Sequence, residues 1–115
     1  MEFDQYTVTM LRLRADAPVM SEAEAGELQD RHLAHGAELQ DRGIILARGP
    51  FTDQDDPQFR GFSIWSVDQE TARAHASADP AVLAGRLAVT VMTWMMPAGN
   101  LQFTKVRAPR SRAEV

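Results

Sequence analysis

The segment Leu87 to Met96, LAVTVMTWMM, is apolar at both alternating positions of an extended chain: Val89, Val91 and Met95 fall on one side, Met92, Trp94 and Met96 on the other. A strand of this kind has to be covered on both faces. Tyr6 to Leu13, YTVTMLRL, is β-branched and aromatic with the same two-sided character, and Phe59 to Val67 adds Phe62, Ile64, Trp65 and Val67. Ile44 to Phe51 is a shorter apolar run that ends at Gly49-Pro50. The loop TDQDDPQ joins it to the next strand as a hairpin with a long connection.

Two helices separate these strands. Ser21 followed by Glu24 is a capping box, and Leu28, His32, His35 and Leu39 then recur at helical spacing up to about Arg42, where Gly43 stops the helix. Asp68 caps a second, alanine-rich segment through about Ala78. Asp79-Pro80 breaks it, and a turn over Ala81 to Gly85 leads into the last strand. The order is βαββαβ, an α+β fold of the ferredoxin-like kind in which two helices lie on one face of an antiparallel sheet. Two helices cover only one face, so the other needs a second copy. The sequence therefore predicts a homodimer that packs sheet against sheet in a barrel-like interface.

With 115 residues there is room for one core, so a ligand site has to share its elements or lie between subunits. We place the domain at residues 1–100. Residues 101–115 form a basic C-terminal extension in which Leu101, Phe103 and Val106 either add a short strand or lie over a partner, and the end beyond Ala108 reads as disordered. A net charge of −4 removes the global basic field that nucleic-acid binding draws on. The absence of cysteine removes disulfides, thiolate metal sites and cysteine nucleophiles, and is compatible with a cytoplasmic protein. No apolar run approaches the roughly 18 residues of a membrane span, and the first fourteen residues lack a basic, then apolar, leader. There is no Gly-rich phosphate loop before a helix and no G-x-S-x-G, which leaves nucleotide hydrolysis and serine acyl transfer without support.

The polar residues that remain have two readings each. His32 shares the helix stripe of Ala25, Leu28 and His35 and so points at the sheet, as a core histidine with a satisfied ring or as a proton carrier. Asp79 either just ends a helix or supplies the carboxylate that would fix the His32 tautomer and stabilise its protonated form. Arg48 either offers its fork to a substrate carboxylate or pairs with Asp53, Asp55 or Asp56 in the next loop. His32 and His35, with His75 and Asp79 on the next helix, are spaced permissively for a metal but match no zinc signature, so no metal and no cofactor is assigned. Trp65, Trp94, Met92 and Met95-Met96 either line an apolar pocket or pack the core and the dimer interface.

The segments RHLAHGAELQDRGIILARGPF and ADPAVLAGRLAVTVMTW resemble the YCII-related (YciI-like) family: a helical His-Leu, an apolar strand ending in Gly-Pro, then Asp-Pro, a small turn and a last strand. The resemblance runs from about Tyr6 to Pro97. It implies a dimeric α/β-barrel fold, and it puts His32 and Asp79 in the places of the family's presumed active-site pair, with His35, Arg48, His75 and Trp94 as candidate substrate contacts. The chain departs from the family pattern at three places. Ala81 stands where an aromatic often follows Asp-Pro, His35 where an aromatic is common, and Arg48 where a small residue is usual. The function implied is a cofactor-independent lyase or isomerase acting on a small organic metabolite through a His-Asp pair. A noncatalytic ligand-binding or accessory dimer is the other reading.

Overall fold

Ser21 opens the first helix as its capping box requires. Its Oγ accepts from the Glu24 amide at 3.1 Å while its own amide donates to the Glu24 carboxylate at 3.4 Å. The computed structural model describes residues 1–115. Its elements are β1 (Phe3–Leu13), α1 (Glu22–Asp41), β2 (Ile45–Pro50), β3 (Phe59–Trp65), α2 (Gln69–Ser77), α3 (Pro80–Leu83) and β4 (Leu87–Pro97), followed by a 3-10 turn at Arg112–Glu114. Gly43, at φ 72°, takes the left-handed conformation that ends α1. Asp68 caps α2 by accepting from the Thr71 amide at 2.9 Å. Asp79-Pro80 does more than break the chain: Pro80 sits in the first turn of α3, where its missing N–H costs nothing, so the expected turn is helical in its first half.

The four strands form one antiparallel sheet in the order β2-β3-β1-β4, giving an α+β, ferredoxin-like fold. Pairing of Thr7 with both Trp65 and Thr93 sets the faces. On the helix side, Ile45 and Trp65 pack with Leu39 of α1 and with Ala72 and Ala76 of α2, the two alanines letting α2 approach closely. The Trp65 indole N–H donates to Thr9 Oγ1 at 2.8 Å, which satisfies both groups inside the core. Leu28 of α1, Ala81 of α3 and Leu87 of β4 form a second cluster at the other end.

The opposite face carries Tyr6, Val8 and Met10 of β1, Phe62 and Ile64 of β3, and Met92 and Trp94 of β4. No helix lies over it, and Trp94 remains 44% exposed. Phe3 to Tyr6 pair only with Trp94 to Pro97, so β1 and β4 run on as a two-stranded arm. With this arm the molecule is 51 Å long and 28 Å across. No large side chain is sealed completely from solvent, and no helix is long and apolar enough to cross a membrane.

The end of the chain lies along α1. Phe103 meets Tyr6 edge-on at 5.5 Å without forming a strand, Ala108 is buried, and Arg110 pairs with Asp41. Arg112 donates to Asp30 through its backbone amide at 2.8 Å and its Nε at 3.0 Å. A Cβ on Gly26 would stand 2.3 Å from the Arg112 guanidinium, so this helix glycine leaves the seat that the arginine fills. Acidic residues on the outer side of α1 thus hold a run that in isolation reads as a solvated tail.

Candidate active site

Helical spacing turns His32 and Gly36, one turn apart on α1, toward the sheet. The Oδ2 of Asp79, at the N-terminus of α3, lies 2.6 Å from His32 Nδ1, and its Oδ1 accepts the Ala81 amide at 2.9 Å. Both side chains are largely buried, with 12% and 8% of their surfaces exposed. Arg48 of β2 brings an Nη to 3.3 Å from His32 Nε2. A guanidinium has donors only, so Nε2 is the acceptor and the ring proton sits on Nδ1, donating to Asp79. The imidazole is thereby held in one neutral tautomer, with its basic nitrogen on the side away from the carboxylate.

Arg48 occupies space that a side chain on α1 would deny it. A Cβ on Gly36 would lie 2.1 Å from Arg48 Cζ and 2.2 Å from its Nη1. Burial pulls the guanidinium below the ordinary arginine range, partly offset by the negative charge of Asp79. The expected pairing of Arg48 with Asp53, Asp55 or Asp56 does not occur: it turns inward over Gly36, and no carboxylate lies within ion-pair distance of it.

Beside these groups lies a cavity of about 650 Å³ lined by His32 and Arg48 together with apolar side chains that include Leu11, Leu28, Leu33 and Leu87. Its size suits a small organic molecule. The C-terminal segment, from Val106 to Pro109, forms one wall.

Three of the candidate contacts lie elsewhere. His35 donates from Nε2 to the carbonyl of His75 at 2.9 Å, tying α1 to α2, and the His75 ring stacks on Trp65 at 6.4 Å. Neither lines the cavity: the His35 ring is held against α2 and the His75 ring against Trp65 of β3. Trp94 is on the other face of the sheet, where it meets Phe62 edge-on at 6.3 Å. His32, His35, His75 and Asp79 consequently do not converge on one point that could hold a metal. Gly36 and Arg86, both at the site, are not among the candidates that the sequence offers. A glycine one turn after the stripe histidine, in a helix interior where it costs about 1 kcal/mol relative to alanine, was the available signal for the first.

Comparison with known proteins agrees with the pattern in the sequence. The family model for the YCII-related domain matches residues 8–95. No curated protein matches. Among solved structures, 5-chloro-2-hydroxyhydroquinone dehydrochlorinase (TftG) from Burkholderia phenoliruptrix AC1100, in complex with 2,5-dihydroxybenzoquinone, is similar over 82% of this chain and 95% of its own, with 22% identity and a TM-score of 0.48.

Proposed function

This chain belongs to the family of YCII-related domains, and we propose that it is a small-molecule enzyme in which His32 moves a proton and Asp79 holds and stabilises the imidazole. The observation that carries the reading is the 2.6 Å contact between Nδ1 and Asp79, which leaves Nε2 as the basic nitrogen of a residue that lines a cavity of ligand size. In this reading Nε2 takes a proton from a substrate carbon and the C–H bonding pair becomes part of a new double bond. In an elimination a leaving group departs with its own bonding pair. In an isomerisation the imidazolium returns the proton to a different carbon. Either way, the positive charge that develops on the ring is matched by the carboxylate behind it.

A test that needs no knowledge of the product is hydrogen exchange. Small cyclic carbon acids incubated in D2O with the protein should lose C–H signal by NMR, and His32→Gln should slow that loss by about 10²-fold or more. Exchange that is unchanged in His32→Gln removes His32 from the chemistry. Binding without exchange in the unaltered protein favours the noncatalytic module instead.

The same reading takes the partner to be a second copy of the chain. The uncovered sheet face presents Met92 and Trp94, 38% and 44% exposed. An apolar face shared by three strands supports a two-fold, sheet-to-sheet contact.

A further inference from the structure

We propose that the cavity takes an anionic substrate, a carboxylate on a small apolar body, and that Arg48, seated in the notch left by Gly36, is the residue that binds it. The proposal rests on the proton-transfer reading for what happens next, but its argument is separate. The chain has 16 acidic residues against 12 basic ones, yet the cavity wall contains Arg48, Arg60, Arg86 and Arg107 and not one aspartate or glutamate. Asp79 is turned away, engaged by His32 and by the backbone of α3.

The four cations are not equivalent. Arg107 is neutralised by Glu114 at 2.7 Å, and Arg60 donates to the Pro57 carbonyl at 2.7 Å. Arg48 and Arg86 have no carboxylate within 4 Å. Arg48 is a half-buried guanidinium whose only hydrogen-bond partner is the His32 imidazole at 3.3 Å. A planar fork with unpaired donors, half-buried in the cavity wall, is matched by a carboxylate, which takes two parallel N–H bonds. The leucines of the same wall suit an apolar body attached to it.

The arrangement also links binding to basicity. The Arg48 N–H points at the one lone pair the base can use. A carboxylate that draws the guanidinium to itself withdraws that donor, so Nε2 becomes free only when an anion is bound. Gly36 is what permits the guanidinium to lie in position for both partners.

Benzoate and its neutral isostere benzamide test this by chemical-shift titration of the full-length protein. The expected result is benzoate binding at least about 10-fold tighter than benzamide. Arg48→Gln should abolish that preference, Arg48→Lys should retain part of it, and Gly36→Ala should weaken it by displacing the flexible guanidinium while the thermal melt shows an intact fold. His32→Gln should keep the benzoate preference, which separates this proposal from the proton-transfer reading: exchange can fail to depend on His32 while Arg48 still selects the anion. Equal binding of benzoate and benzamide, no binding of benzoate, or a preference that survives Arg48→Gln in a folded protein would each overturn the proposal.

Discussion

His32 Nδ1 and Asp79 Oδ2 meet at 2.6 Å across 47 residues of chain, and the second oxygen of the same carboxylate caps α3 through the Ala81 amide. The two oxygens of Asp79 therefore have unlike partners, both of them donors. In Asp79→Asn the remaining oxygen can serve only one. If it keeps the cap, the amide NH2 faces Nδ1 and forces the ring proton to Nε2, directly opposite the Arg48 donor. We expect a folded protein in which 15N shifts report the inverted His32 tautomer and proton exchange into substrate falls by about 10²-fold or more. An unchanged tautomer with unchanged exchange would show that the carboxylate does not orient the ring.

Trp65 and Thr9 form a pair whose value depends on how it is broken. Thr9→Val leaves a buried indole N–H without a partner and should cost about 1–3 kcal/mol. Trp65→Phe removes the donor together with part of the ring. The double variant loses the interaction only once, so its cost should fall short of the sum of the single variants by about 1 kcal/mol in urea unfolding. Strict additivity would mean that the hydrogen bond contributes nothing net.

The uncovered sheet face gives a third expectation. Trp94 touches Phe62 but lies outside the helix-side core, so Trp94→Glu should leave the domain folded and place a charge in the middle of the proposed interface. Sedimentation of the unaltered protein at micromolar concentration should show a dimer, and Trp94→Glu should sediment as a monomer with an unchanged circular dichroism spectrum. A monomeric unaltered protein would end the idea of sheet-to-sheet pairing.

What could be read from the residues divides along physical lines. Ser21-Glu24 and Asp68 announce their helices because a cap is a contact within three residues. The strands announce themselves because two-sided burial is written in alternation. His32 was legible from its stripe, and Asp79 as its partner came from the resemblance. Arg48 was legible as a residue of interest, but its direction was not, because the decisive neighbour is a hydrogen atom on Gly36, twelve positions away and invisible to any pattern of polarity. His35 shares the His32 stripe, yet it spends its ring on a carbonyl of α2, a contact that only tertiary packing creates. The contacts of the tail were illegible for the same reason, since its arginines find Asp30 and Asp41 on a helix some 70 to 80 residues earlier.

That tail supplies the last prediction, a dependence on pH. Hydrogen bonds from Arg112 hold the Asp30 carboxyl below its ordinary value of 3.8, and those from Arg107 hold Glu114 below 4.5. A carboxylate whose value is lowered in the docked state favours docking wherever it is ionised, so the contribution is complete above the ordinary values. It is lost as pH falls through the lowered ones. The Arg112 backbone amide, which donates to Asp30, should therefore keep its shift from pH 7 to about pH 5 and move toward the position of a free chain below about pH 4. Gly26→Ala fills the seat of the guanidinium and should give the free-chain shift already at neutral pH, while the rest of the spectrum stays native. Because Val106 to Pro109 wall the cavity, the same variant should also open it, with faster dissociation of benzoate as the readout. An Arg112 amide indifferent both to acid and to Gly26→Ala would mean that these ion pairs do not hold the segment.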